Sequence, residues 1–278
     1  MKHLKRNLVM FTMLAATFIL SACSNKPITS HSSGFWDGVV VYNFSRFIIY
    51  LSKVFGGYGW GIIVFTVLIR IIILPLMIYQ TKTSMKTAEL QPQLKALQAK
   101  YSSRDVESQQ KLREEQQKLY AEAGVNPMAG CLPLIVQLPI MYALYAAVSR
   151  TEVLKQGVFL WLKLSDKDPY FILPILAAFF TFLSTWLSMK AQPAGSQNAM
   201  TASMTYGMPL VILITAINFP SAITLYWVIT NLFQVFQTLI IQNPFKIQKE
   251  REAKQQAQKA KEKAIAKAKR KAYKSRRK

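Results

Sequence analysis

The sequence predicts an all-α integral membrane protein with five transmembrane helices, an N-terminal external amphipathic helix and a cytoplasmic helical hairpin. Three observations lead to this fold class. Of the 278 residues, 51% are hydrophobic, and long uncharged runs alternate with strongly basic ones. One arginine, Arg70, lies in the middle of an uncharged run. Such segregation of apolar and basic stretches is typical of a membrane protein and not of a single globular core.

Residues 1–22 have the features of a lipoprotein signal peptide. A basic start is followed by an apolar stretch, Leu8–Leu20, that is too short to span a bilayer. The next residues, Leu20-Ser21-Ala22-Cys23, resemble the bacterial lipobox, whose cysteine is acylated and becomes the mature N-terminus. We therefore expect a covalent lipid on Cys23 that tethers the mature chain to the outer leaflet. The alternative is an uncleaved anchor with a chance cysteine.

The segment 23–57 is predicted to be the lipidated N-terminus followed by an interfacial helix. Apolar residues recur at helical spacing between Trp36 and Phe55, while Arg46 and Lys53 fall between them. This pattern predicts an amphipathic helix that lies in the outer membrane interface. A first spanning helix is the competing interpretation, and the two basic residues count against it.

Residues 58–242 are predicted to form a five-helix core. Its fourth and fifth spans come from one uncharged run of 36 residues, Tyr206–Ile241, which is too long for a single crossing. A turn signal, Asn218-Phe219-Pro220-Ser221, divides that run, and the short fourth span is expected to begin near Met200. The five predicted spans are Tyr58–Tyr79, Met128–Val148, Tyr170–Met189, Tyr206–Phe219 and Ser221–Ile241.

The lipobox and the basic residues together predict the orientation. If Cys23 is outside, five crossings place the C-terminus in the cytoplasm. Lysine and arginine are concentrated where this topology predicts cytoplasm, with eight in Gln80–Pro127 and fifteen from Lys246 onward, against four in Arg150–Pro169. We therefore expect a multi-pass protein of the bacterial cell membrane.

The segment 81–127, between the first two spans, is predicted to be a charged helical hairpin. Apolar residues at helical spacing occur in two groups, separated by Ser102-Ser103 and Arg104-Asp105, which can break the helix. Acidic and basic residues alternate through the second group. A solvated connector without a partner is the alternative interpretation. The two apolar groups are Leu90, Leu94, Leu97 and Tyr101, then Val106, Leu112 and Leu119.

The tail, 243–278, is strongly basic. From Lys246 it carries fifteen lysines or arginines and three glutamates, a net charge of +12 within the +22 of the chain. Such a charge beside a membrane favours anionic lipid or the phosphate backbone of ribosomal RNA. The alternative is a topology determinant that also touches lipid headgroups.

Arg70 is the thirteenth residue of the first predicted span. A central arginine costs at least about 2.5 kcal/mol on insertion scales, so something must offset that cost. The five predicted spans contain no other charged residue and no histidine. This excludes an internal ion pair and a proton relay, and leaves water, polar side chains or an acidic group from outside the chain.

Polar side chains recur at helical spacing in several predicted spans. Thr66 lies one turn before Arg70, and Gln137 lies in the second span. These stripes predict a hydrated interior that holds Arg70 and receives a small anion, a lipid phosphate or an acidic stretch of polypeptide. Hydrogen bonding between helices is the alternative for the serines and threonines. The longer stripes are Thr181, Ser184, Thr185 and Ser188, and Trp227, Thr230, Asn231, Gln234, Gln237 and Thr238.

Catalytic chemistry is not indicated. We find no nucleophile–base pair and no phosphate-binding glycine loop, so the chain is interpreted as a protein that is not an enzyme. The two histidines and two cysteines do not have metal-ligand spacing, and Cys131 is expected to be a buried small hydrophobe. The predicted cofactor and metal content is therefore none, apart from the lipid on Cys23.

With these motifs in order, the chain resembles the YidC/Oxa/Alb family of membrane protein insertases, in the lipoprotein form of Gram-positive bacteria. The resemblance covers essentially the whole mature chain. It rests on the lipobox at Cys23, Thr66 with Arg70 and Leu74-Pro75-Leu76, the hairpin, Asn126-Pro127-Met128 with Leu132-Pro133, Gln137-Leu138-Pro139-Ile140, Phe219-Pro220-Ser221-Ala222, Leu225-Tyr226-Trp227 and the basic tail.

This resemblance implies an insertase and chaperone whose groove, open to cytoplasm and lipid, receives hydrophilic segments of nascent membrane proteins. The matching groove positions are Thr66, Arg70, Gln137 and Trp227, to which the polar stripe adds Asn231 and Gln234. Many relatives carry tyrosine where this chain has Trp227, which lacks a hydroxyl. Expected partners are nascent membrane proteins, the ribosome through the tail, the Sec translocon and anionic lipids, and the protein is expected to work as a monomer. The competing hypothesis is a transporter or scramblase for a small anion or lipid.

Overall fold

The structure is a computed structural model that describes residues 26–103, 105–126, 132–193 and 199–275. The predicted signal peptide and the predicted lipidation site Cys23 lie outside these residues, as does Cys131. The chain divides into two compact units. The first holds the described residues up to Thr81, those from 132 to Phe182, and Tyr206–Phe233, and the second holds the remainder.

The N-terminal helix of the first unit begins with a π-helical turn, which the sequence pattern does not predict. A π-helical turn, Phe35–Val41, leads into helix α1, Tyr42–Val54, and both pack against helix α5, Leu132–Arg150. The face carrying Ile48 and Leu51 is buried, while Arg46 and Lys53 are exposed. The amphipathic helix is therefore present, and its position in the membrane interface stays a prediction.

Helix α2, Tyr58–Glu89, runs ten residues beyond the end of the predicted first span. Pro75 lies within it. The residues after Tyr79 are polar but contain no glycine or proline, so the helix continues after the apolar run has ended. Hydropathy thus located the span, whereas the helix itself extends into the segment predicted to be the hairpin.

The other predicted spans are also helical in the described residues. Three stretches are long and apolar enough to cross a membrane, namely Tyr58–Glu89, Ile172–Ala191 and Ser221–Lys267, and two shorter apolar helices occupy Ile135–Arg150 and Ala202–Ala216. The all-α fold class is confirmed, and the count of five crossings stays a prediction. The helices after α5 are α6 (Glu152–Lys155), α7 (Ile172–Ala191), α8 (Ala199–Ala216), α9 (Ser221–Ile241) and α10 (Pro244–Ser275).

The connection between α5 and α7 is a folded cap and not a simple loop. After α6, strands β1, Val158–Phe159, and β2, Leu162–Lys163, form an antiparallel hairpin with Phe159 opposite Leu162. The segment after β2 then holds the start of α9, because the Ser221 amide and hydroxyl both donate to the Asp166 carbonyl at 2.7 and 2.8 Å. These bonds satisfy donors that a helix start would otherwise leave open.

A buried ion pair closes the same end of the first unit. Arg150, the last residue of α5, donates to both carboxylate oxygens of Asp37 at 3.0 and 2.6 Å, and its Nε donates to the Lys26 carbonyl. The paired side chains are only 9% and 16% exposed. A bidentate arginine–carboxylate pair fixes direction as well as distance, so it ties the segment before α1 to the end of α5.

The core of the first unit combines side chains from α1, α2, α5, α7, α9 and the cap. Its largest fully buried members include Phe65, Leu144 and Tyr226. Helices α1 and α2 approach closely at Gly61, where an added Cβ would lie 2.1 Å from the Ser52 hydroxyl oxygen. Only glycine fits this contact without displacing a neighbour.

The second unit contains the predicted helical hairpin. Helices α3, Gln91–Lys100, and α4, Val106–Glu122, pack against each other. Asp105 caps α4 by accepting a hydrogen bond from the Ser108 amide at 2.7 Å. Hydrogen bonds from the Ser103 hydroxyl and from Ser108 lower the pKa of the Asp105 carboxyl to about 2. The break between the two helices thus contains Ser103 and Asp105, two of the residues that predict it, and Asp105 is the N-cap of α4.

The basic tail of the second unit begins as a docked helix. Within α10, Gln248 Nε2 donates to the Lys190 carbonyl at 3.1 Å and Arg251 Nη1 donates to the Ala191 carbonyl at 2.7 Å. These contacts satisfy carbonyls at the C-terminal end of α7. Residues 253–267 of α10 are exposed.

Candidate functional site

The candidate site is a chain of three polar side chains inside the first unit. Arg70 Nη2 lies 3.4 Å from Gln137 Oε1, and Gln137 Nε2 donates to the Tyr226 hydroxyl at 2.6 Å. The three residues come from α2, α5 and α9. The glutamine amide thus joins the arginine of one helix to the phenol of another.

Arg70 is a buried cation with little compensation from the protein. Its side chain is among the buried polar groups, at 6% exposure, and its Nε has no hydrogen-bond partner in the structure. Among the described residues, no carboxylate pairs with its guanidinium. A guanidinium has five N–H donors, and a single long bond to a neutral amide leaves most of this capacity open to a ligand or to water.

Thr66 lies one turn before Arg70 on α2 and is fully buried. Its hydroxyl donates to the Ile62 carbonyl of the same helix at 2.6 Å. The sequence placed Thr66 beside Arg70 correctly along the helix. In the structure, however, its proton bonds the helix backbone, so the hydroxyl can offer Arg70 only a lone pair.

Trp227, which the resemblance places in the groove, packs against a residue before α9. Its ring packs on Phe219 with centroids 5.5 Å apart, whereas the neighbouring Tyr226 is the aromatic residue that reaches Gln137. Consecutive helical residues point about 100° apart, so a shift of one position changes the helix face. The aromatic hydroxyl that contacts Gln137 is therefore that of Tyr226, which is 1% exposed.

The other two predicted groove residues make contacts within α9. Asn231 donates to the Trp227 carbonyl at 3.0 Å, and Gln234 Nε2 lies 3.4 Å from the Thr238 hydroxyl oxygen. Both side chains are half-buried. Of the six predicted groove residues, Arg70 and Gln137 are therefore in contact with each other, and Tyr226 completes this polar chain without having been predicted as a site residue. The spacing of four between Tyr226 and buried Thr230 was the available signal.

Metal binding has no support in the described part of the chain. No group of three or more histidine, cysteine, aspartate or glutamate side chains there is placed to hold an ion. What the site offers is a buried positive charge with open donors.

A model of the 60Kd inner membrane protein family matches residues 50–251. The chain belongs to this family. It is 82% identical over 255 residues to membrane protein insertase YidC from Pediococcus pentosaceus, with 91% of each chain covered. It is 55% identical over 269 residues to membrane protein insertase YidC from Enterococcus faecalis, with 97% of each covered. The resemblance to the Gram-positive YidC proteins is thereby confirmed.

A solved structure has the same fold. The crystal structure of an active YidC insertase with its first transmembrane domain resolved matches with a TM-score of 0.58 and 32% identity. The match covers 74% of this chain, which spans about half, 47%, of the crystallised chain. This family member is therefore a bacterial membrane protein, and the interpretation that it is not an enzyme agrees with a family of insertases.

Proposed function

We propose that this protein is a membrane protein insertase in which Arg70 receives hydrophilic, acidic segments of nascent membrane proteins and whose helices release apolar segments into the bilayer. The observation that carries the proposal is the buried guanidinium of Arg70, which has one neutral partner and no carboxylate among the described residues. Relatives named as insertases support the activity. The same family assignment favours an insertase over a transporter or scramblase.

The proposed mechanism is electrostatic and involves no covalent step. A charge in a low-dielectric interior attracts an opposite charge more strongly than it would in water. The Gln137 carbonyl is the neutral acceptor that a substrate carboxylate would displace, and Tyr226 would hold the glutamine near Arg70 in the resting state. A hydrated groove around these groups shortens the dry path for polar residues, which lowers the cost of moving them across the membrane core.

Three further features are part of the proposal. Cys23 carries the lipid anchor. The N-terminus lies outside and the tail lies in the cytoplasm. The tail contacts the ribosome or anionic lipid, and the Sec translocon is a further candidate partner.

The test replaces Gln137 by glutamate, a change of nearly equal size that gives Arg70 an internal counter-ion. We expect Gln137→Glu to fold and to insert substrates with acidic translocated tails at least tenfold more slowly, while substrates with neutral tails are less affected. Arg70→Ala is expected to show the same selectivity. Gln242→Glu, at the end of α9, is the matched acidic control and should leave insertion unchanged.

The measurement is insertion of reporter proteins in cells depleted of the native protein and of any other family member. Equal loss for acidic and neutral tails would contradict reception of substrate carboxylates by Arg70. Full insertion in the depleted cells would contradict the insertase function itself. Purified protein in liposomes, assayed for anion or lipid flux without a nascent chain, tests the competing transporter.

A further inference from the structure

The cap between α5 and α7 exposes a cluster of large apolar side chains that the proposed function does not use. We define this hairpin patch by its exposed members on three segments of the first unit. Leu160 and Tyr170 are the most exposed, at 69% and 65%. The hairpin patch consists of Trp60, Val158, Leu160, Trp161, Tyr170 and Phe171.

The hairpin patch is held rigidly. Phe159 packs edge-on against Trp60 with ring centroids 5.7 Å apart, and it covers Gly59 so closely that a Cβ there would lie 1.9 Å from its ring. Trp161 donates its indole N–H to the buried Asp168 carboxylate at 3.1 Å. The same carboxylate accepts hydrogen bonds from the Tyr170 and Leu173 amides. One buried acid thus fixes the tip of the hairpin to the start of α7.

Two members of the hairpin patch have unfavourable backbone conformations. Leu160 in the hairpin turn has φ of 54°, and Phe171 before α7 has φ of 56°. Glycine or asparagine normally occupies such positions, because a Cβ makes this region strained. In water, each of these residues would combine backbone strain with an exposed apolar side chain. Transfer of the side chains into an apolar environment would offset both costs.

The surroundings of the hairpin patch identify lipid as the occupant. Tyr170 and Phe171 continue an exposed apolar stripe along α7, a helix apolar enough to cross the membrane, so the hairpin patch extends that lipid-facing surface past the helix start. Tyrosine and tryptophan at span ends are typical of the membrane–water interface. The stripe on α7 is Ile172, Ile175, Leu176 and Phe179.

Charge supplies no competing explanation. The cap, residues 152–168, contains three lysines, one glutamate and two aspartates, so its formal net charge is zero. A surface that attaches through anionic headgroups would need excess positive charge. Apolar transfer is the remaining driving force, and it does not depend on headgroup charge.

We propose that the β1–β2 hairpin and the residues before α7 form a rigid interfacial anchor, which inserts Leu160, Trp161 and Tyr170 among the headgroups and upper acyl chains of the bilayer. Its stiffness would fix the depth of the ends of α5 and α7 in the membrane. This role is independent of substrate reception at Arg70.

Photo-crosslinking of the full-length protein tests the anchor. Leu160→benzoylphenylalanine and Tyr170→benzoylphenylalanine place the photoreactive group at two sites on different segments of the hairpin patch. Gln156→benzoylphenylalanine is the matched control, because Gln156 is an exposed polar residue of the same cap. Each variant is irradiated in native membranes and in nanodiscs of phosphatidylcholine or phosphatidylglycerol, and adducts are identified by mass spectrometry.

We expect phospholipid adducts at 160 and 170 to exceed those at 156 several-fold, to similar extents in the two kinds of nanodisc. Lipid adducts no more frequent than at 156 would overturn the proposal. So would protein adducts at both positions in native membranes in place of lipid, which would identify the hairpin patch as a protein interface. The Tyr170 variant does not change the strained hairpin turn, so the test does not depend on how that turn tolerates the probe.

Discussion

At the scale of single residues, the aromatic partner of Gln137 is Tyr226, the neighbour of the predicted groove residue Trp227. The polar stripe on α9 indicated a face that includes Trp227 and Asn231, and both of these make contacts within their own helix or with Phe219. Tyr226 lies on the adjacent face and closes the chain from Arg70 through Gln137. The polar stripe indicates the helical turn that contains Tyr226 and Trp227. Which of these two neighbours faces α5 is decided by packing between the helices.

We predict that Tyr226→Phe destabilises the protein more than Trp227→Tyr. Loss of the Tyr226 hydroxyl leaves the Gln137 amide N–H without its acceptor in a half-buried position, which costs up to about 1–3 kcal/mol. Trp227→Tyr keeps an aromatic ring against Phe219 and removes no hydrogen bond between helices. Thermal unfolding of the purified variants in one detergent measures the difference, and a lower melting temperature for Trp227→Tyr than for Tyr226→Phe would contradict the assigned contact.

At the scale of elements, the sequence predicted those features that depend on local pattern. The helical hairpin and its break at Ser103 and Asp105 follow from apolar spacing and capping chemistry, and the structure confirms the two helices. The predicted first span ends at Tyr79, where the apolar run ends, whereas helix α2 continues to Glu89. Hydropathy reports the boundary of the apolar run, and helix length depends on breakers that are missing there.

Long-range pairs were not predictable by the same means. The ion pair between Asp37 and Arg150 joins residues 113 positions apart. Neither residue lies in a motif, and nothing in the local pattern selects one partner for the other. The hydrogen bond that joins the cap to α9 was equally unpredictable, because Ser221 donates to the carbonyl of Asp166, which lies 55 positions earlier. Arg70 was identifiable because a lone charge in an apolar run is anomalous by itself, and its contact with Gln137 needed the fold.

A second prediction concerns the contact of α1 with α2. We expect Gly61→Ala to lower stability, because the added Cβ would lie 2.1 Å from the Ser52 hydroxyl oxygen and 2.8 Å from the Ile48 carbonyl oxygen. Overpacking of this kind typically costs about 1–3 kcal/mol. Gly207→Ala is the matched control within α8, where an added Cβ meets nothing within 4 Å. There the helix propensity of alanine should stabilise by up to about 1 kcal/mol.

Thermal unfolding of the two alanine variants under identical conditions measures these effects. The melting temperature should fall for Gly61→Ala and rise or stay constant for Gly207→Ala. Equal behaviour of the two variants would show that α1 is not packed on α2 as closely as the structure has it, and would remove the reason for glycine at position 61.

At the scale of the whole molecule, more than half of the net positive charge is concentrated in the C-terminal tail. Of the formal net charge of +22, the residues from Lys246 contribute +12. Helix α10 is anchored near its start, where Gln248 and Arg251 donate to carbonyls at the end of α7. Residues 253–267 are exposed on every side. The start of α10 thus makes the contacts that anchor the helix, and the part that follows carries most of its positive charge.

The last prediction follows from this division. Removal of residues 253–278 deletes twelve lysines or arginines and one glutamate but keeps Arg251. We expect the truncated protein to unfold at the same temperature as the full chain, because no buried contact of the described residues is lost. Its binding to ribosomes in co-sedimentation should become weak and nearly independent of salt, since phosphate contacts by lysine and arginine are the source of a steep salt dependence.

Arg251→Ala should do the opposite, lowering stability through loss of the Ala191 contact while leaving ribosome binding almost unchanged. A truncated protein that still binds ribosomes with the salt dependence of the full chain would place the binding site outside the tail, and a variant with glutamine at all twelve basic positions separates the loss of charge from the loss of the helix.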